Sequence, residues 1–136
     1  MAIGIFEFFR PKRQRERLVR EFVTVANAMQ FDKFGQYLTD DFVFSDTSGS
    51  SVEGLAAYIE EERAFREAAD NPPVIIDSLD HFRGEILLRG YLDTDIEEIA
   101  GQTLWRVKFR KGKVCAAEVT RENTGLTVPR FARRRA

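Results

Sequence analysis

Between Lys12 and Gln30, the residues Leu18, Phe22, Val25, Ala26 and Met29 recur at helical spacing, with Arg15, Glu16 and Arg20 on the other side. Apolar positions three and four apart predict an amphipathic helix with one buried stripe. Asp32 is placed to cap a short second helix through Phe34 and Leu38, which Asp40 and Asp41 end. Phe42, Val43 and Phe44 predict a short strand that runs into the turn-rich DTSGSS of residues 46–51. A third helix is predicted from Val52 to Ala69. Its mixed face holds Leu55, Tyr58, Ile59, Glu62 and Phe65, and the EEER run at 60–63 reads as a solvated surface. Asn71-Pro72-Pro73 stops it, because proline disfavours helix in the residue before it.

After Pro73 the pattern changes to period two, the signature of strands with one buried face. Val74, Ile76 and Ser78 alternate with Ile75, Asp77 and Leu79. A turn near Arg83-Gly84 leads into a second strand from about Glu85 to Asp93. In the third, Trp105, Val107 and Phe109 point one way and Arg106, Lys108 and Arg110 the other. Residues 110–113 form a hairpin turn, Val114 to Glu122 the last strand, and Asn123 onward an irregular tail. The expected class is α+β. One domain over 13–123 is flanked by an apolar and basic extension (1–12) and a basic tail (124–136).

Composition narrows the possible functions. The 136 residues are 43% hydrophobic and 32% charged, which suits one globular domain and excludes wholesale disorder. With one cysteine, Cys115, and one histidine, His81, neither an intrachain disulfide nor a Cys/His zinc site can form, and no metal or cofactor is expected. Asp93 and Asp95 lack the glycine and terminal glutamate of a calcium loop. The net charge of −1 is unevenly spread. Residues 1–20 hold six basic and two acidic residues, residues 130–136 four arginines and no acid, and residues 21–129 hold 11 basic and 20 acidic residues. An acidic body excludes nucleic-acid binding by the folded domain, which needs a basic face. The basic ends read as solvated termini. In MAIGIFEFF-RPKRQR the apolar run precedes the charge, the reverse of a secretory signal, so a cytoplasmic protein is expected. That run is suited to docking on protein or to a peripheral membrane anchor, with docking favoured. Pro11 then breaks any helix there or starts the next.

The order of elements resembles the nuclear transport factor two-like superfamily, which includes SnoaL-like and ketosteroid isomerase-like proteins. The segment from Val19 to Gly54, VREFVTVANAMQFDKFGQYLTDDFVFSDTSGSSVEG, resembles the first half of a bacterial ketosteroid isomerase. GLAAYI and WRVKFRKGKV also fit the wider family. The resemblance implies a cone-shaped, curved antiparallel sheet wrapped around a long N-terminal helix and enclosing a pocket. It also implies a homodimer through the open face of the sheet, where Arg106, Lys108 and Arg110 would oppose Glu118 and Glu122.

In the isomerases an aspartate abstracts a proton next to a carbonyl, while a tyrosine and a protonated aspartic acid donate hydrogen bonds to the enolate oxygen. The base position falls on Asp46. The tyrosine position falls on Phe22, which has no hydroxyl, and the acid position near Trp105, whose indole N–H donates but carries no acidic proton. The ordinary alternative for Asp46 is a turn residue bonded to the backbone of Ser48. His81 is the second catalytic candidate, since its unperturbed pKa lies near neutrality. Its alternative is a surface residue beside a turn. The implied pocket takes Phe22, Phe44, Trp105 and Phe109 as walls, Val119 and Arg121 from the alternation of the last strand, and the hydroxyls of Tyr58 and Tyr91. Arg121 at the rim suits an anionic ligand. Two functions follow. One is cofactor-free proton transfer on a small hydrophobic molecule, of isomerase, lyase or cyclase type. The other is a non-catalytic ligand-binding or dimerisation module, with a membrane-associated version if the N-terminus anchors it.

Overall fold

The computed structural model describes residues 5–121 and 126–135, with side chains from Arg10 onward. The side chains of MAIGIFEFF and the expected end of the last strand at Glu122 lie outside the described residues. So do the expectations about anchoring or docking and about Glu122 on the open face.

The first helix, α1 (Ile5–Asn27), runs straight through Pro11. Proline was expected to interrupt it; it removes one backbone hydrogen bond, and the helix continues on both sides. Val19, Val25 and Ala26 are buried, with Leu18, Phe22 and Val23 packed beside them, so the predicted stripe faces the core. Asn27 fastens its end. The Asn27 side chain donates to the Val74 carbonyl at 3.1 Å and accepts from the Val74 N–H at 2.9 Å. Asn71 donates to the Asn27 carbonyl at 2.9 Å.

A short 3-10 helix (Phe31–Gln36) buries Phe31 and Phe34. It is followed by β1 (Leu38–Asp46), β2 (Ser51–Glu53), α2 (Leu55–Ala68), β3 (Val74–Phe82), β4 (Glu85–Leu92), β5 (Thr103–Arg110), β6 (Lys113–Arg121) and α3 (Val128–Arg135). Three expectations change here. Asp40 and Asp41 do not end a helix but lie exposed within β1, whose buried positions are Leu38, Phe42, Phe44 and Asp46. Residues 51–53 pair with β1 as a strand, so α2 begins only at Leu55. The expected irregular tail is a helix whose first turn is buried at Val128 and Pro129.

The six strands form one curved sheet in the order β2-β1-β6-β5-β4-β3. Every pairing is antiparallel except that of β1 with β6, which is parallel. That one pairing corrects the expectation of a wholly antiparallel sheet. It arises because β1 and β6 are far apart in sequence, so no hairpin dictates their direction.

The curvature of the sheet has a local cause in β3. A bulge between Ile76 and Ser78 interrupts its register against β4. A bulge adds a residue on one strand, bends it and inverts the alternation beyond it. Ile76 and Leu79 therefore both pack on the core, although simple alternation places them on opposite faces. Gly90 opposes this bend. A Cβ there would lie 2.0 Å from the Ile75 carbonyl oxygen, a clash with backbone that no side-chain rotation relieves. Gly90→Ala is expected to destabilise the domain by about 3 kcal/mol, the upper end of the ordinary range for single substitutions. Urea denaturation checks it; a loss under about 1 kcal/mol would show that the bulge relaxes freely.

Candidate functional site

The concave face of the sheet, α1 and α2 enclose a cavity of about 100 Å³. Helix α1 contributes Val19, Phe22, Val23 and Ala26, a set spaced i, i+3, i+4, i+7 along one face. Strand β1 contributes Leu38, Phe42 and Phe44, and α2 contributes Tyr58, Glu62, Phe65 and Arg66. Leu88, Leu92, Trp105, Val107, Ala117, Val119 and Arg121 form the sheet wall. Thr127 and Val128, at the start of α3, complete the enclosure. The aromatic walls interlock. Phe44 stacks on Tyr58 at 5.3 Å between centroids, and Phe42 meets the same ring edge-on at 4.8 Å.

Six of the expected ligand-facing residues thus share one cavity: Phe22, Phe44, Tyr58, Trp105, Val119 and Arg121. Two do not line it. Tyr91 pairs with Ile75, and its neighbours Gly90 and Leu92 are the buried positions of β4, so Tyr91 faces the outer side. Phe109 keeps the core-facing side of β5 that Trp105 and Val107 share, since the bulge beside it skips Cys115 of β6; it packs against the core opposite Val114, near the end of the strand, and does not line the cavity.

The sequence places Glu62 both on the mixed face of this helix and within the EEER run read as solvated; the mixed face is the one the structure shows, with Glu62 buried beside Arg66 in an ion pair of 2.8 Å. Arg66 also donates to the Asn71 side chain at 3.0 Å and to the Pro72 carbonyl at 3.3 Å. Tyr58 is hydrogen-bonded to Glu62. Burial, reinforced by the Glu62 charge, pushes the Tyr58 phenol well above its ordinary range, so it remains a neutral donor. The signal was in the spacing: Tyr58, Glu62, Phe65 and Arg66 fall at i, i+4, i+7 and i+8, one face of a helix.

Asp46 ends β1 and is buried. Its Oδ1 accepts from the Ser48 N–H at 2.9 Å, the Ser48 hydroxyl at 2.5 Å and the Ser50 N–H at 3.2 Å. Its Oδ2 accepts from the Thr127 hydroxyl at 2.8 Å, and Arg130 Nε lies 3.6 Å away. The Thr127 oxygen in turn accepts the Arg130 N–H at 3.2 Å, which caps the N-terminus of α3. Burial alone would raise the Asp46 carboxyl. The bonds from Ser48, Thr127 and Ser50 outweigh it and hold the carboxyl below its ordinary range. A depressed pKa and occupied oxygens make a weak base, and Asp46 is not among the residues that line the cavity.

His81 shares the concave face of β3 with Leu79 but lies off the cavity. Its Nε2 is 3.4 Å from Glu16 Oε2, close enough for charge attraction, while neither ring nitrogen is aligned for a hydrogen bond. His81 and Asp46 are therefore not brought together at one place. Among the described residues no three His, Cys, Asp or Glu side chains converge as metal ligands would.

Arg121 is half-buried and differs from the buried charges Asp46, Glu62 and Arg66. Its Nη1 donates to the Ile99 carbonyl, and its Nε is buried without a partner. Burial lowers its pKa to about 10, so it stays charged at neutral pH.

A curved sheet folded round a long helix over an internal cavity defines a nuclear transport factor two-like, cystatin-like fold. The family model for the SnoaL-like domain matches residues 19–117, and the chain belongs to that family. No curated protein matches the sequence. Solved structures share the fold at low identity. One is a candidate SnoaL-like polyketide cyclase from Jannaschia sp. CCS1: 12% identity, TM-score 0.71, covering 81% of this chain and 86% of the other. Another is an NTF2-like protein of unknown function from Cytophaga hutchinsonii: 17% identity, TM-score 0.65, covering 80% and 89%. A de novo designed protein with a curved β-sheet reaches 14% identity and TM-score 0.67, covering 81% and 86%. These likenesses concern the fold alone. No helix among the described residues is long and apolar enough to cross a membrane.

Asp46→Asn is expected to destabilise the domain by about 1.5–3 kcal/mol, the scale of hydrogen bonds to a charged group. Thr127→Val should act in the same direction, and the double variant should lose less than the sum, since both remove one shared bond. Because the folded carboxyl lies below its unfolded value, its contribution is complete above the ordinary aspartate range and fades as pH falls through the folded value. Urea titrations across acid pH should show that fade in the wild type and not in Asp46→Asn.

Proposed function

We propose that this domain binds a small, largely apolar molecule in its internal cavity, and that Asp46 is a structural fastener rather than a catalytic base. The observation that carries the reading is the cavity itself, walled by Phe22, Phe44, Trp105 and Val119. Against Asp46-dependent proton transfer stand its saturated oxygens and its position outside the cavity wall. Glu62, the carboxylate that does line the cavity among the described residues, is committed to Arg66 and Tyr58. The polyketide cyclase description of the Jannaschia protein is compatible with small-molecule handling but names no substrate for this chain.

The volume limits the ligand. An apolar protein cavity of about 150 Å³ admits benzene. A cavity of about 100 Å³ suits a molecule of that order or smaller, and a polycyclic ketone requires α3 to move. Trp105 is the only tryptophan and lies on the wall, so its emission reports occupancy. Cyclohexanol and 2-methylpropanol at millimolar concentration should change that emission saturably. Ala117→Leu, which fills the cavity from the sheet side, should abolish the change while the melting temperature is held or raised. Absence of any saturable response in the wild type would remove the reading.

A further inference from the structure

The domain buries charge in two places, both compensated, and half-buries a third charge, that of Arg121. Asp46 is saturated by donors. Arg66 is matched by Glu62, Asn71 and the Pro72 carbonyl. Arg121 has one neutral carbonyl, that of Ile99, and a buried Nε with nothing opposite it. Among the described residues no carboxylate forms an ion pair with it, and the side chain of neighbouring Glu98 is turned outward near Arg134 at 3.9 Å. A polar N–H covered from water without a hydrogen-bond partner is unfavourable, so the Arg121 Nε calls for an explanation at the site where it occurs.

Its position supplies one. Arg121 lines the apolar cavity and also a more polar cleft of about 230 Å³, formed with Arg89, Gln102, Thr103, Leu104 and Thr120. Arg89 is engaged with Asp80 at 3.7 Å, which leaves Arg121 as the cation facing both spaces. The Nη1 corner is tied to Ile99, which fixes the plane of the guanidinium. The Nε edge, half of the side-on fork that grips a carboxylate in two parallel bonds, is covered by the surrounding side chains and has no hydrogen-bond partner.

We propose that the ligand of this cavity is a small amphipathic carboxylate, its apolar body against Trp105 and Val119 and its carboxylate on the Nε edge of Arg121. This rests on the small-molecule reading above and specifies the chemical class. The missing counter-charge of the empty protein is then the ligand's own.

The test compares acids with their neutral twins: 2-methylpropanoate against 2-methylpropanamide, and 3-methylbutanoate against 3-methylbutanamide, read by Trp105 emission at pH 7. The wild type should bind each acid at least about tenfold more tightly than its amide, the scale of one charge-assisted bond. Arg121→Gln should erase that preference and leave amide binding within about twofold. Arg121→Lys, which retains the charge without the fork, should fall between. A second measurement separates a ligand anchor from a structural strut. The ligand-free Arg121→Met protein should melt above the wild type, because a half-buried cation with no carboxylate partner among the described residues has been removed. Equal binding of acid and amide by the wild type overturns the inference and leaves the cavity reading intact. Silence from acids and amides alike overturns both. An acid preference that survives Arg121→Gln, or one that survives while Arg121→Met melts lower, marks Arg121 as a strut for Ile99 and also overturns it.

Discussion

The Asp46 carboxylate joins two segments that no strand pairing brings together, the β1–β2 turn and the start of α3. One oxygen organises the turn through Ser48 and Ser50, and the other holds Thr127. Thr127 uses both faces of its hydroxyl: the proton goes to Asp46 and a lone pair takes the Arg130 N–H. The first turn of α3 is thus positioned by polar geometry before its apolar side chains pack. Phe131 then meets Phe65 edge-on at 5.8 Å, and Val128 enters the cavity wall. Without that fastening, α2 and the open end of the sheet would lose their cover, and the cavity would be a groove.

The apolar stripes of α1 and β5 were readable because regular periodicity maps directly onto a face. Val19, Phe22 and Ala26, like Trp105 and Val107, lie on one side for reasons that spacing alone reveals. What was not legible follows from departures from regularity. The β3 bulge inverts alternation halfway along the strand, and the bulge at Cys115 does the same in β6, where Val114 and Ala117 are both buried. Neither leaves a mark in hydrophobic pattern. The C-terminal helix was missed for another reason. Its exposed face carries Arg133, Arg134 and Arg135, so the segment reads as a basic tail, while its buried residues are confined to one turn.

The two alternatives weighed for Asp46 from sequence, pocket carboxylate or turn residue, describe parts of the same arrangement. The turn bonds from Ser48 are present, and the carboxylate is buried next to the wall that Thr127 completes. What the sequence lacked was Thr127 itself, 81 residues away, whose hydroxyl takes the remaining oxygen. A long-range partner of this kind is invisible to periodicity. Glu62 is the opposite case: helical spacing puts it on the mixed face, and its partner Arg66 is four residues away on the same face.

The nearness of Asp46 to the isomerase base position shows how little a register match says about chemistry. A carboxylate acts as a base only when a lone pair faces the reacting proton and the acid form is accessible near the working pH. Here the neighbouring donors point the lone pairs at the backbone and stabilise the charged form. Phe22, where the isomerases place a tyrosine, adds apolar wall instead of a hydrogen bond. The cation on the sheet wall is Arg121, the last described residue of β6. The same curved sheet occurs in a designed protein, so the backbone alone carries no activity. In this chain the fold supplies the cavity, and Asp46, through Thr127, fastens the helix start that completes its wall.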